Sequence, residues 1–201
     1  MMNVIVDYGL GNLRSLQTAL KGQGIETSIT SDQEEIAAAS AIFLPGVGAF
    51  RDASKALWES GLADLLIRKA NEGTYIIGIC LGMQLMYDRS FENGEYKGLG
   101  LIPGDIVKLE QMPKIPHMGW NNLTLEKEDP LVKYTSTGDY VYFVDSYYAK
   151  SSGEEILAYG EYGERIPAIV RRGNTIGFQF HPEKSAEVGA RLLKALGEII
   201  L

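Results

Sequence analysis

The sequence predicts an α/β fold: a mostly parallel central sheet flanked by helices, with additional antiparallel or mixed strands in the C-terminal half. Up to about residue 80, short apolar runs rich in β-branched residues alternate with segments of helical periodicity. Strands this apolar are typical of a parallel sheet covered on both faces. After about Gly94 the helical periodicity gives way to short apolar runs separated by turn residues, which favours hairpins or a mixed sheet.

The elements follow in chain order. The N-terminal part alternates strands with helices: strand Val4–Val6, helix Asn12–Lys21, strand Ile25–Ile29, helix Gln33–Ala39, strand Ala41–Leu44, a helical stretch Phe50–Asn71 interrupted at Gly61, and strand Tyr75–Ile79. The C-terminal part consists of predicted strands and one last helix: strands Asp105–Leu109, Asn122–Leu125, Tyr140–Tyr147, Ile156–Tyr162, Ala168–Arg171 and Thr175–Phe180, and helix Ser185–Ile200. Because no repeat or linker interrupts the pattern, we expect one domain over residues 1–201.

Composition excludes several classes of protein. The 201 residues include 19 Lys+Arg and 26 Asp+Glu, a net charge of −7, which argues against nucleic-acid binding through bulk positive charge. The lone cysteine cannot form an internal disulfide and fits a reducing cytoplasm. The N-terminus lacks a basic leader, and the longest uncharged apolar stretch, Tyr75–Tyr87, is too short to cross a bilayer. We therefore expect a cytoplasmic protein without a membrane segment.

The segment Gly78–Gly82 has the form of a nucleophile elbow with Cys80 at the nucleophile position. A strand that turns sharply into a helix needs small residues on both sides of the nucleophile, and it presents that residue at the helix N-terminus, which favours a thiolate. The backbone N–H of Leu81 would then be one oxyanion donor. The alternative is that Cys80 is a small buried hydrophobic residue at a strand end.

A thiolate nucleophile needs a base, and the chain has only two histidines. His181 follows an apolar run, and Glu183 projects on the same side of an extended segment, where a carboxylate can orient an imidazole. His117 has no acidic residue two positions away, so we expect it to pack against Trp120 in a turn-like segment, in a structural or interface role. The alternative for His181 is a strand-end residue beside a solvent-facing Glu183.

The segment Pro45–Gly48 follows a predicted strand, and its two glycines would let a peptide group reorient and act as a second oxyanion donor. It is not a phosphate loop, because no Gly-Lys-Ser/Thr follows it. One cysteine and two distant histidines do not provide the spacing of a metal site, so we expect neither metal nor cofactor.

Together these residues resemble the triad-type (class I) glutamine amidotransferases. Other segments narrow the resemblance to the glutaminase subunits of imidazole glycerol phosphate synthase: Tyr8–Asn12, Pro116–Asn121 and Gly177–Phe180. The resemblance runs from Asp7 to the C-terminal helix. It implies that this chain hydrolyses glutamine and passes ammonia to a cyclase subunit in a heterodimer with lyase activity, which makes imidazole glycerol phosphate and aminoimidazole carboxamide ribotide in histidine biosynthesis.

The resemblance also implies a role for individual residues. Cys80 would attack the glutamine amide, His181 would carry the proton and Glu183 would orient His181. The residues implied to bind the oxyanion or the substrate are Gly46, Val47, Gly48, Leu81, Gln84, Ser146 and Tyr147. The residues implied to face or support the cyclase are Asn12, His117, Met118, Trp120, Tyr142 and Lys184.

One position departs from the family. Asp145 stands in Phe-Val-Asp-Ser-Tyr, where family members often carry histidine. Other functions stay open at this point: the amidotransferase subunit of another synthase, a free-standing γ-glutamyl thiol hydrolase, or a non-catalytic regulatory subunit. The segment Pro116–Asn121 argues against the first two, and the complete set of Cys80, His181 and Glu183 argues against the third.

Overall fold

The computed structural model describes residues 2–110 and 115–201. Helices and strands alternate through the first part, in the order β1 (Asn3–Val6), α1 (Leu13–Gly22), β2 (Thr27–Thr30), α2 (Gln33–Ala37), β3 (Ala41–Gly46), α3 (Phe50–Glu59), α4 (Leu62–Asn71), β4 (Tyr75–Cys80) and α5 (Leu81–Leu85). Strands dominate the second part, with β5 (Tyr87–Ser90), β6 (Tyr96–Lys97), β7 (Ile102–Lys108), β8 (His117–Leu125), β9 (Tyr140–Asp145), β10 (Tyr147–Lys150), β11 (Ile156–Tyr162), β12 (Glu164–Arg172), β13 (Thr175–Phe178) and α6 (Ala186–Ile200).

The large sheet has the strand order β2-β1-β3-β4-β13-β12-β11-β8-β9. Its first five strands are parallel, and the remaining four continue as antiparallel neighbours. The strand β4 lies between β3 and β13, so its end is enclosed on both sides. The predicted fold class is confirmed, and the change from parallel to antiparallel pairing occurs in the C-terminal half, where the sequence pattern changes.

Two apolar layers cover the parallel strands. Along β3 the side chains alternate between them: Ile42 and Leu44 pack in the layer with α3 and α4, whereas Ala41 and Phe43 pack in the layer with α1 and α6. Successive side chains of the strand point to opposite faces of the sheet, and both faces are buried. The sequence of the strand is therefore a continuous apolar run. The resulting rigid sheet positions the loops at the carboxyl ends of its parallel strands, where α/β proteins collect their functional groups.

Several predicted boundaries were wrong. The predicted strand Tyr140–Tyr147 is two strands, β9 and β10, which belong to different sheets and separate at Ser146. The segment Pro116–Asn121 is not turn-like, because from His117 onward it is part of β8. Within this strand Gly119 has a φ of +132°, which residues other than glycine rarely adopt. The second sheet, β10-β7-β5-β6, includes β5 and β6, which the sequence pattern did not indicate.

Smaller differences concern element ends. β2 begins two residues later than predicted, β7 begins at Ile102, and β4 extends to Cys80. The break at Gly61 is confirmed: α3 and α4 meet there, and Gly61 has a φ of +78°, which glycine adopts at little cost. Among the described residues no helix is both long and apolar enough to span a membrane.

Candidate active site

Cys80 lies at the sharp turn between β4 and α5, with φ +56° and ψ −115°, a backbone conformation that non-glycine residues rarely adopt. The glycines on either side leave no room for a side chain. A Cβ atom on Gly82 would lie 1.7 Å from the Leu44 carbonyl oxygen, and one on Gly78 would lie 2.7 Å from the Met83 backbone nitrogen. The predicted elbow is therefore present in the structure, and both glycines are required by packing against neighbouring backbone.

His181 and Glu183 come together as the sequence predicted. The Nδ1 atom of His181 lies 2.8 Å from Oε1 of Glu183, and both side chains are buried. The backbone around His181 is held on both sides: its N–H donates to the Tyr142 carbonyl, and the Ser185 hydroxyl donates to the His181 carbonyl at 2.7 Å. The imidazole is thus fixed by the segment that follows β13 and by strand β9.

Cys80 and Glu183 set the protonation of His181. Burial by itself would lower the pKa of the imidazole, but its hydrogen bonds to Cys80 and Glu183 and the charges of these two groups raise the pKa to about 10. A protonated His181 can stabilise a thiolate that forms beside it and can later deliver its proton to a leaving group.

A cleft of about 350 Å³ opens in front of this pair. It is lined by residues that the sequence assigned to catalysis or substrate binding, namely Val47, Gly48, Cys80, Leu81, Gln84, Ser146, Tyr147 and His181. The residues that the sequence did not assign to the substrate site are Glu92, Pro116, Val144 and Asp145. The cleft is open enough to admit a small molecule, and the reactive sulfur lies at its wall.

Pro45–Gly48, the oxyanion segment, is anchored at one end and exposed at the other. Gly46 is the register partner of Cys80 in the parallel pair β3–β4. The Tyr8 hydroxyl donates to the Pro45 carbonyl at 2.7 Å, and burial together with the charge of Cys80 raises the pKa of Tyr8, which keeps its proton. Val47 and Gly48 are exposed, and Gly48 has a φ of +98°.

Gln84 and Glu92 also line the cleft, and both are held by hydrogen bonds. The Gln84 amide nitrogen donates to the Tyr147 carbonyl at 3.0 Å and to Gln179 Oε1 at 3.1 Å, so both of its N–H groups are used within the protein. Glu92 accepts from the backbone N–H of Phe50 at 2.9 Å, at the start of α3. Sequence reasoning missed Glu92, because an acidic residue in a Gly- and Asn-rich turn carries no signal of its own.

Three of the expected interface residues, Met118, Trp120 and Tyr142, lie on the neighbouring strands β8 and β9, whereas His117 is buried. Met118 and Trp120 are 61% and 53% exposed, and the Trp120 ring meets the edge of Tyr142 at 5.9 Å. Asn12 and Lys184 are also exposed. The side chain of His117 is 4% exposed, so it supports this surface from below rather than facing outward.

The contacts of His117 also differ from those expected from the sequence. Its ring stacks between Phe143 and Tyr162, at centroid distances of 4.7 and 4.0 Å, and not against Trp120. An acid does face it: Asp145, its register partner across the β8–β9 pair, has Oδ1 3.5 Å from His117 Nδ1. The sequence argument considered only neighbours along the chain, whereas this acid comes from the adjacent strand.

Comparison with known proteins identifies the family of this chain. Residues 4–196 match the family model for glutamine amidotransferase class-I. Imidazole glycerol phosphate synthase subunit HisH of Carboxydothermus hydrogenoformans is 52% identical over 200 residues, covering 99% of this chain and 100% of that protein. The HisH subunit of Lactococcus lactis is 50% identical over 198 residues, 98% of either chain.

Solved structures show the same fold at lower identity. PurLQS from Thermotoga maritima superimposes with a TM-score of 0.78 at 22% identity, covering 100% of this chain and 99% of the other. A structure described as a glutamine amidotransferase gives a TM-score of 0.77 at 22% identity, covering 98% of each chain. The chain belongs to the class I glutamine amidotransferase family. Within that family, these HisH subunits match it at about 50% sequence identity over nearly the full chain.

Proposed function

We propose that this chain is the glutamine-hydrolysing subunit of imidazole glycerol phosphate synthase and that it works through Cys80, His181 and Glu183. The observation that carries the proposal is the buried Cys80–His181–Glu183 arrangement, of which Cys80 and His181 line the cleft. The full-length similarity to HisH subunits supports the choice of pathway. The reaction of this chain is a hydrolysis, so the lyase assignment does not apply to it.

The chemistry follows from the arrangement of charges. The Cys80 thiolate attacks the side-chain amide carbon of glutamine, and the carbonyl electron pair moves to oxygen to form a tetrahedral oxyanion. As the oxyanion collapses, the C–N bond breaks and the His181 imidazolium gives its proton to the leaving nitrogen, which releases ammonia and a glutamyl thioester. His181, now neutral, takes a proton from water, which hydrolyses the thioester to glutamate and restores Cys80.

The cleft supplies what this sequence of steps needs. The backbone N–H of Leu81 and those of the oxyanion segment are the candidate donors to the oxyanion. At the other end of the substrate, the Ser146–Tyr147 backbone and the Gln84 side-chain oxygen offer polar contacts for the amino-acid group. The Glu92 carboxylate adds a negative charge that can accept the substrate ammonium.

The partner is a cyclase subunit, which forms a heterodimer with this chain. The exposed apolar side chains of Met118 and Trp120, together with Tyr142, form a surface suited to an interface core, and the exposed residues Asn12 and Lys184 supply polar groups for the same partner. Because β8 and β9 connect this surface to the cleft, ammonia released at Cys80 leaves close to the docked partner. The cyclase would use it to make imidazole glycerol phosphate and aminoimidazole carboxamide ribotide.

The test is a Cys80→Ala variant reconstituted with a purified cyclase subunit and its ribonucleotide substrate. We expect glutamine-dependent product formation to be lost, by about 10³-fold or more, because no nucleophile is left. Synthesis from added ammonium salts should continue at the wild-type rate, which controls for assembly. Persistence of glutamine-dependent synthesis would refute the catalytic role, and wild-type protein that hydrolyses glutamine but never supports this cyclase would favour another synthase or a free-standing hydrolase.

A further inference from the structure

Asp145 places a carboxylate where the strand pattern calls for an apolar side chain. Along β9 the residues Val141, Phe143 and Asp145 are buried, and they alternate with more exposed neighbours. The Asp145 side chain is only 1% exposed. Within the described part of the chain, neither carboxylate oxygen has a hydrogen-bond donor in good geometry. A buried carboxylate is costly unless a neighbouring group pairs with it, so the groups that face Asp145 decide its charge.

His117 is oriented toward this carboxylate. The Asn121 amide group is fixed in one orientation, because its oxygen accepts from the Asn122 N–H and its nitrogen donates to the Glu161 carbonyl. The same amide nitrogen lies 3.3 Å from His117 Nε2, which must therefore act as the acceptor. In the neutral ring the proton then sits on Nδ1, which faces Asp145 Oδ1 at 3.5 Å. The stacked rings of Phe143 and Tyr162 hold the imidazole in this plane.

The Asp145 side chain also lies close to the candidate catalytic centre. Asp145 lines the cleft together with Cys80 and His181, and the carbonyl oxygen of the preceding Val144 lies 3.7 Å from the Cys80 sulfur. Burial raises the pKa of Asp145, and the hydrogen-bonding interaction with His117 and the charge of His181 oppose that rise. Electrostatic interaction is mutual, so an ionised Asp145 favours the protonated form of His181 by the same energy.

We propose that Asp145 is a positioning residue of the glutaminase reaction: its carboxylate, oriented by His117, places a second negative charge beside His181 and stabilises the imidazolium. The first carboxylate is Glu183, which bonds to His181 directly. The proposal rests on the proposed function, because it takes His181 as the proton carrier. The other ionisable groups that line the cleft are Cys80, which pairs with His181, together with Glu92 and Tyr147.

The first test is an Asp145→Asn variant, which keeps the shape of the side chain and removes its charge. We expect the pKa of His181, measured by NMR on the isolated chain, to fall by about one pH unit. In the assembled synthase kcat for glutamine should fall about three- to tenfold with KM unchanged. Asp64→Asn makes the same change at an exposed position of α4 and should alter neither quantity.

The second variant tests the role of His117. His117→Phe keeps a flat ring between Phe143 and Tyr162 but removes the N–H that faces Asp145, so the pKa of Asp145 should rise further. The loss of kcat in His117→Phe should then depend on pH. In mildly acidic buffer it should be close to the loss measured for Asp145→Asn, and at alkaline pH, where Asp145 is ionised again, it should be small.

An unchanged pKa of His181 in a folded Asp145→Asn protein would overturn the proposal. A variant that loses activity and melts at a lower temperature, but keeps the wild-type pKa of His181 and the wild-type pH profile, would also overturn it. The NMR readout does not depend on turnover. A wild-type protein without glutaminase activity would therefore refute the proposed function while the effect of Asp145 on His181 is still measured.

Discussion

At the scale of single residues, the protonation state of His181 depends on the two groups that flank it, Cys80 and Glu183. Burial opposes the charged imidazole, yet the contacts with Cys80 and Glu183 outweigh it and raise the pKa to about 10. The ring therefore stays protonated at neutral pH while the thiolate is present. This protonation state is the one that a thiolate nucleophile and a departing amine require.

Replacing Glu183 by Gln should lower the pKa of His181 from about 10 toward the ordinary value of 6.5, because the charge that favours the imidazolium is removed. The chain has two histidines, so an NMR titration can follow both rings separately. We expect kcat for glutamine hydrolysis to fall by about 10²- to 10⁴-fold. Glu187→Gln, the same change at an exposed position of α6, is the matched control.

Stability should follow the same titration. In the folded protein the pKa of His181 is raised above its ordinary value of 6.5, so protonation of His181 stabilises the fold. This stabilisation is fully present below pH 6.5 and is lost as the pH rises through about 10. The difference in stability between wild type and the Glu183 variant should therefore be largest in mildly acidic buffer. A difference that grows toward alkaline pH, or a His181 titration unaffected by the change, would contradict this account.

The elbow at Cys80 and the pairing of His181 with Glu183 could be predicted because their signals are local. Cys80 is surrounded by glycines two positions away on each side, and His181 and Glu183 are separated by one residue, so each group is visible within a few positions of sequence. The pairing of His117 with Asp145 depends on the register of two strands that lie far apart along the chain. Such a contact cannot be seen from neighbours along the sequence.

At the scale of elements, the elbow depends on close approach between β3 and α5. The missing side chain of Gly82 lets the Leu44 carbonyl come so close that a Cβ atom there would lie 1.7 Å from its oxygen. Neither atom belongs to a flexible side chain, so a substitution would have to move backbone. The geometry that presents Cys80 is consequently also a packing constraint of the core.

A Gly82→Ala variant should be destabilised by about 3 kcal/mol, as for overpacked core positions, and should lose most of its glutaminase activity. Chemical denaturation followed by circular dichroism measures the first effect. Gly22→Ala is the control: it lies in α1 with ordinary φ and open space around its Cα, and it should leave stability unchanged or slightly improved. Equal stabilities for the two variants would show that the elbow tolerates a side chain.

The elements of the first half could be predicted because apolar strands alternate with helical periods. Prediction failed where tertiary pairing overrides the local pattern. The run from Tyr140 to Lys150 is apolar and aromatic almost throughout, so the change of sheet at Ser146 leaves no mark in periodicity. The short strands β5 and β6 form because they complete the small sheet around β7.

At the scale of the whole molecule, the sheet joins the catalytic cleft to the exposed surface of Met118 and Trp120. Strand β9 contributes Val144 beside Cys80 and pairs with β8, which carries that surface. In the oxyanion segment, Pro45 is held by Tyr8 while Val47 and Gly48 are exposed. A docked partner can therefore shift the exposed half of this segment while the anchored half keeps its place.

The most direct test of this account is glutamine hydrolysis by the purified chain alone, and then with a cyclase subunit of imidazole glycerol phosphate synthase and its ribonucleotide substrate. We expect low glutamate release from the isolated chain. If the productive orientation of the oxyanion segment is populated to about 1% in the free chain, the complete assembly should stimulate hydrolysis about 10²-fold. Equal turnover with and without the partner would contradict the account.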